Sequence, residues 1–355
     1  MHAYAVQDAT GMVKLDAMEN PYGLPSELQA ALGQRLGQVA INRYPGARVD
    51  DLRHALAAHV DLPQGWGLML GNGSDELISL LAMACDVPAG ATPNGRPASI
   101  LAPVPGFVMY AMSAQLQGLD FHGVPLTADF ELDELAMLAA MAQHQPAIVY
   151  LAYPNNPTGN LWDDGTIERI VALQGQLGGL VVMDEAYQPF AARTWLDPMR
   201  AHPERHAHVL LMRTLSKFGL AGVRLGYLMG PQALLAEVDK VRPPYNVSVL
   251  NAECALFALE HAPVFAEQAR AIREQRAWLL AELAQLNGVH AYPSEANMLL
   301  VRVPNAQQCF DSMKLSGVLV KNVSKMHPLL LNCLRLTVGT PAENQRMVQA
   351  LQSSL

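Results

Sequence analysis

Positive charge is in short supply in this sequence: 24 Lys and Arg stand against 32 Asp and Glu, a formal net charge of −8. Nucleic acids and anionic membrane surfaces reward clustered cations, so neither is expected as the main partner. Cysteine is scarce too. Cys85, Cys254, Cys309 and Cys333 stand singly, without close pairs or metal-ligand spacing, as expected of reduced thiols in a reducing compartment. Long apolar runs are missing, and no stretch reaches the roughly 18–20 residues that span a bilayer. The opening residues, MHAYAVQDATGMVKLD, lack the basic start and apolar run of a secretion signal, so the expected location is the cytoplasm. The eleven histidines suggest no metal centre; His202, His206 and His208 fall in a turn-rich stretch where they are expected to be solvated.

What is plentiful is core-forming material. Of 355 residues, 51% are hydrophobic and 16% charged, enough for two packing units. Between about residues 45 and 245, short apolar runs alternate with amphipathic stretches. Ala98–Ala102, Ala147–Ala152, Leu180–Met183, Val209–Arg213 and Leu225–Met229 lack polar alternation, as expected of strands covered on both faces. Ser74–Cys85 and Thr166–Leu177 read as helices between them. This alternation predicts an α/β unit with a mostly parallel sheet flanked by helices.

The pattern changes after residue 248. A long helical region runs to about Leu286, with Pro263 marking a break or a new first turn. Short strand candidates follow at Val289–Tyr292, Met298–Val303, Val318–Val320 and Leu334–Val338, predicting a smaller α+β unit. The expected division is an N-terminal arm over residues 1–40 contributing to the smaller unit, a large unit over 41–247 and a small one over 248–355. Ala91–Pro97 reads as a turn-rich connection, and no internal repeat is evident.

In α/β sheets, functional side chains collect where strands end at the carboxyl edge. Those positions hold Tyr153-Pro-Asn-Asn-Pro-Thr-Gly159, Asp184-Glu-Ala-Tyr187 and Thr214-Leu-Ser-Lys217, while Gly71-Asn-Gly-Ser-Asp-Glu76 opens a helix. A Gly-x-Gly could suggest a dinucleotide site, but Glu76 stands where that fingerprint needs its third glycine. With Glu19-Asn-Pro-Tyr-Gly23, Arg43-Tyr-Pro45, Arg224-Leu-Gly226, Ser294-Glu-Ala-Asn297 and Leu334-Arg-Leu-Thr-Val-Gly339, the chain resembles the fold-type I pyridoxal-phosphate aminotransferases. Within them it looks most like the histidinol-phosphate branch. The resemblance covers nearly the whole chain, and its weight lies in the order and spacing of motifs that are individually weak.

The resemblance implies a role for each motif. Lys217 would carry pyridoxal 5′-phosphate as a Schiff base and serve as the base that moves the substrate α proton. Asp184 would sit against the pyridine nitrogen, and Asn156 and Tyr187 would meet the phenolic oxygen. Gly73, Ser74 and Asp75 at a helix start would receive the phosphate, with Thr214, Ser216 and Arg224 completing its cradle. Phe107 would stack on the ring, where the family more often has a tyrosine. Tyr110 lies one helical turn further on. Tyr44 would reach a neighbouring subunit's phosphate, implying a homodimer with shared sites.

Arg335 is the expected anchor for a substrate anion, because a guanidinium binds carboxylate or phosphate through two parallel hydrogen bonds. Asn20, Tyr22 and Asn297 would lie near the substrate. Lys321 stands where the family often has a second arginine, and a lysine neutralises phosphate without bidentate recognition. The implied reaction passes the amino group of L-histidinol phosphate to 2-oxoglutarate. An aromatic amino acid aminotransferase and a decarboxylase of a phosphorylated amino acid remain alternatives. A cofactor-sensing regulator on this fold would need a basic DNA-binding domain, which the acidic balance opposes.

Overall fold

A computed structural model describes residues 7–87 and 95–355. Residues 1–6 of the expected N-terminal arm and residues 91–94 of the expected connection lie outside the described residues. The central sheet has seven strands in the order Trp66–Gly71, Gly226–Pro231, Val209–Thr214, Leu180–Asp184, Ile148–Ala152, Ser99–Val104, Asp120–Pro125. The last five run parallel. Gly226–Pro231 runs antiparallel to both of its neighbours.

The side chains of these strands explain their burial. Along Ile148–Ala152, Val149 and Leu151 enter one apolar cluster while Ile148 and Tyr150 enter another. The same division separates Val181 and Met183 from Val182, and Leu211 from Leu210 and Met212. Successive residues face opposite sides of a sheet, so an unbroken apolar run needs helices on both faces.

Two strands have little sequence signal. Asp120–Pro125 is an edge strand with only Val124 buried, and Trp66–Gly71 is a short run with glycine at two of its six positions. The reversal of Gly226–Pro231 follows from chain length. Parallel neighbours need a crossover of about a dozen residues or more. Residues 215–225 instead turn back at the carboxyl edge, so Lys217 and Arg224 stay beside the end of Val209–Thr214.

The C-terminal strands form a second, antiparallel sheet in the order Lys321–Asn322, Cys333–Thr337, Met298–Arg302, His290–Ala291. Val318–Leu319 instead pairs in parallel with Val13–Lys14 of the N-terminal segment. Leu15 and Met18 pack among Leu299, Val301, Leu334 and Leu336. The long helical region is two helices, Val249–Glu260 and Ala262–Leu283, bent by 77° with Pro263 in the first turn of the second. Ala252, Ala255 and Leu256 of the first helix join the core of the large sheet, and Glu253 takes hydrogen bonds from Arg35 and Arg48.

Helix Ser74–Cys85 buries Leu81 completely, whereas Leu135 on another helix is 81% exposed. Leu81→Ala is expected to lower unfolding free energy by about 3 kcal/mol through lost burial and a cavity, and Leu135→Ala by under ~0.5 kcal/mol. Urea unfolding of the two variants checks this.

Candidate functional site

A cavity of about 340 Å³ opens at the carboxyl edge of the parallel strands. Its walls include Ser74, Asp75, Phe107, Asn156, Asp184, Tyr187, Thr214, Ser216, Lys217 and Arg224, all singled out in the sequence. Lys217 sits in a single π-helical turn, Ser216–Leu220, a distortion often found at functional sites. Its Nζ donates to the Ala17 carbonyl at 3.1 Å. Burial first, and then the positive charges of Arg335 and Arg224, pull the amine down to about 8, against the opposing charges of Glu19 and Asp75. A substantial share of such an amine is neutral near pH 8, so it can attack an electrophile or accept a proton.

Asp184 ends the strand Leu180–Asp184 and is buried. Tyr110 Oη donates to its Oδ2 at 2.6 Å, and the Ala186 amide to its Oδ1 at 3.0 Å. Burial nevertheless raises its pKa to about 6. A cationic N–H brought against this carboxylate would stabilise its charged form. Asn156 Nδ2 donates to Tyr187 Oη at 3.0 Å, and Arg335 Nη1 to Asn156 Oδ1 at 2.8 Å. Arg335, Asn156 and Tyr187 therefore form one chain from the small sheet to the cavity wall.

The helix Ser74–Cys85 directs its N-terminus at the cavity. Gly73, at φ +85°, has no room for a side chain: a Cβ there would lie 2.7 Å from Arg224 Nη2. Arg224 is itself left-handed at φ 55°, a strained conformation for a bulky residue. Its Nη1 donates to Ser216 Oγ at 3.3 Å, and its Nη2 pairs with Asp75 at 3.2 Å. Thr214 Oγ1 donates to Ser216 Oγ at 3.0 Å. Helix-start amides, two hydroxyls and a guanidinium thus surround one corner, a donor set suited to phosphate. With an amine and a buried carboxylate at the other corners, the residues fit pyridoxal phosphate.

The remaining candidates lie outside the cavity wall. Tyr44 is 76% exposed and stacks on Tyr245 at 4.3 Å. Asn20 Nδ2 donates to Gln268 Oε1 at 2.9 Å, and its Oδ1 accepts from the Tyr22 amide at 2.9 Å. Tyr22 packs on the C-terminal core. Asn297 is buried and donates to the Met18 carbonyl at 3.0 Å. Lys321 is the strand partner of Arg335, and Arg335 Nη2 donates to the Asp16 carbonyl at 2.8 Å.

Tyr110, Ala17, Met18 and Glu19 also border the cavity, and the sequence motifs assign none of them a role. Tyr110 carried an aromatic signal but was read only as a neighbour of Phe107; it meets Phe107 edge-on at 5.6 Å and holds Asp184. Ala17, Met18 and Glu19 line the cavity, and the Ala17 carbonyl that meets Lys217 is a backbone atom with no residue-type signature.

Residues 10–351 match the aminotransferase class I and II family, and the chain belongs to that family. It is 67% identical over 356 residues to histidinol-phosphate aminotransferase of Paracidovorax citrulli, covering 100% of this chain and 95% of that protein. Among solved structures, histidinol-phosphate aminotransferase from Sinorhizobium meliloti in complex with pyridoxal-5′-phosphate aligns with a TM-score of 0.82 at 25% identity, covering 97% of this chain and 90% of that one. The Clostridium acetobutylicum enzyme of the same name shares the fold, with a TM-score of 0.84 at 19% identity over 96% of this chain and 98% of that one.

The depressed Lys217 amine has a direct consequence. In cofactor-free protein, acetylation of Lys217 should rise with pH as the amine loses its proton and level off above about 8. An ordinary lysine should keep accelerating towards its usual value of about 10.4. Peptide mass spectrometry after timed labelling gives both curves; a Lys217 curve that follows the other lysines would contradict the assigned environment.

Proposed function

We propose that this chain is a pyridoxal-phosphate-dependent transaminase that moves the amino group of L-histidinol phosphate to 2-oxoglutarate. The products are imidazole-acetol phosphate and glutamate, which places the reaction in histidine synthesis. The observation that carries the chemistry is the amine of Lys217, brought down to about 8, facing a cavity that also contains buried Asp184. The identity to histidinol-phosphate aminotransferase of Paracidovorax citrulli supports the choice of donor.

Bound in this cavity, pyridoxal phosphate supplies an aldehyde for amines to attack and a ring that accepts the electrons of a broken C–H bond. Lys217 would hold the cofactor through that aldehyde, and its Nζ would take the α proton of the substrate. Asp184 is the residue to hold the ring nitrogen in its protonated form. Asn156 and Tyr187 would meet the phenolic oxygen, and Phe107 a ring face. Ser74 and Asp75 amides, with Thr214, Ser216 and Arg224, would hold the phosphate, and Gly73 lets the backbone approach it.

Arg335 is assigned the distal anion of the substrate, with Lys321 on the adjacent strand adding positive charge. Asn20, Tyr22 and Asn297 shape the substrate side. Tyr44, exposed and stacked on Tyr245, is assigned to a second subunit's phosphate site, so the working form is a cytoplasmic homodimer with shared sites.

Adding L-histidinol phosphate without an oxo acid to cofactor-loaded protein should convert the cofactor absorbance to that of the amine form; phenylalanine should do so far more slowly. Conversion by phenylalanine alone would reassign the enzyme to aromatic amino acids, and absence of any cofactor absorbance would remove the cofactor reading. Lys217→Ala should lower turnover by ~10³-fold or more while circular dichroism stays that of the folded wild type.

A further inference from the structure

We propose that Glu185 and Arg213, on the side of the sheet turned away from the catalytic cavity, are positioning residues that hold the cofactor-binding strand ends in register. This inference rests on the cofactor assignment above. Glu185 follows Asp184 and Arg213 precedes Thr214, so each of the pair shares a peptide unit with a residue of the cavity wall. Alternation along a strand sends consecutive side chains to opposite faces. Asp184 lines the catalytic cavity, while Glu185, one residue past the strand end, and Arg213 line an adjoining cavity of about 570 Å³ that shares Thr214 with it.

Both charges are buried, with side chains 0% and 10% exposed. Arg213 Nε and Nη2 donate to Glu185 Oε2 at 3.0 and 2.8 Å. Thr194 Oγ1 lies 2.9 Å from each Glu185 oxygen, the Trp195 amide donates to Oε1 at 2.5 Å, and Arg213 Nη2 donates to Thr194 Oγ1 at 2.9 Å. Across the strands, the Glu185 amide donates to the Met212 carbonyl at 2.8 Å. A buried ion pair contributes little net stability compared with a well-packed apolar pair. What the two Arg213 hydrogen bonds converging on one Glu185 oxygen do supply is a single separation between two neighbouring strand ends.

That separation sets the distance between Asp184 and Thr214 on the catalytic side. Thr214 bonds Ser216, the residue before Lys217. A shift of the pair would therefore move the carboxylate, the hydroxyls and the amine relative to one another, and small misplacements of reacting groups are costly. The substrate anchor Arg335 lies on the other sheet and should be unaffected.

The test titrates cofactor-free protein with pyridoxal phosphate and then measures turnover. The apolar double variant Glu185→Leu/Arg213→Met removes both buried charges together and should unfold within a few degrees of wild type. Its Kd for pyridoxal phosphate is expected to rise about tenfold and its kcat to fall about tenfold, with KM for the amino donor changed less than twofold. A folded double variant with wild-type Kd and kcat would make the pair a structural element only and overturn the proposal. So would a rise in KM with kcat unchanged. Glu185→Gln, which keeps shape and acceptor but loses charge, decides the matter if the double variant does not fold: an unchanged cofactor Kd there overturns the proposal. Wild-type protein that binds no pyridoxal phosphate would instead overturn the cofactor assignment on which the proposal stands.

Discussion

The arrangement around Lys217 depends on withdrawing one amine from water. An ammonium is penalised by burial, and the positive charges of Arg335 and Arg224 add to that penalty. Glu19 and Asp75 offset part of it, and the Ala17 carbonyl accepts a hydrogen bond from the amine. The balance leaves an amine that can exist neutral or charged near pH 8, which a surface lysine cannot do. Asp184 is the mirror case, a carboxylate raised towards neutrality by the same burial. One desolvated cavity thus moves an acid and a base towards each other on the pH scale, a pattern typical of functional sites.

The two sheets meet at this cavity through polar contacts that cross from one to the other. Arg335 reaches Asn156 from the small sheet, and its second nitrogen holds the Asp16 carbonyl. Met18 donates to Thr337 Oγ1 at 3.0 Å and accepts from Asn297. Residues 16–18 are therefore bound to the strand Cys333–Thr337 and to Asn297 while presenting Ala17 to Lys217. The N-terminal segment is the mechanical link between Arg335 and the Lys217 amine.

Much of this was legible in the sequence because its signals are local. Helix Ser74–Cys85 shows its glycine-led start, and the strand ends at Ala152, Asp184 and Thr214 close apolar runs, the last interrupted by Arg213. Ten of the named cofactor residues occupy one cavity wall. The edge strand Asp120–Pro125 stayed hidden because only Val124 is buried there. The 77° bend before Ala262–Leu283 had only Pro263 as its mark. The Ala17 carbonyl left no residue-type trace, since a backbone acceptor is set by tertiary pairing. Tyr110 was visible as an aromatic, but its bond to Asp184 depends on a contact between residues 74 positions apart.

The distribution of residues around the cavity also constrains where selectivity can reside. The wall on the large sheet is occupied by groups suited to a cofactor ring and phosphate, which are common to many reactions on this fold. The elements left to distinguish one amine from another are the N-terminal segment, with Ala17, Met18 and Glu19 in the wall, and the small-sheet strands bearing Lys321 and Arg335. These two elements are bonded to each other, and they meet the cofactor wall at Asn156 and at the Ala17 carbonyl, which accepts from Lys217. A change in substrate could therefore be accommodated by repacking the N-terminal segment against Cys333–Thr337, leaving Asp184 and Thr214 where the large sheet holds them. The large sheet holds Asp184 and Thr214, the small sheet holds Arg335, and the two are joined at this cavity by the Arg335–Asn156 and Lys217–Ala17 hydrogen bonds.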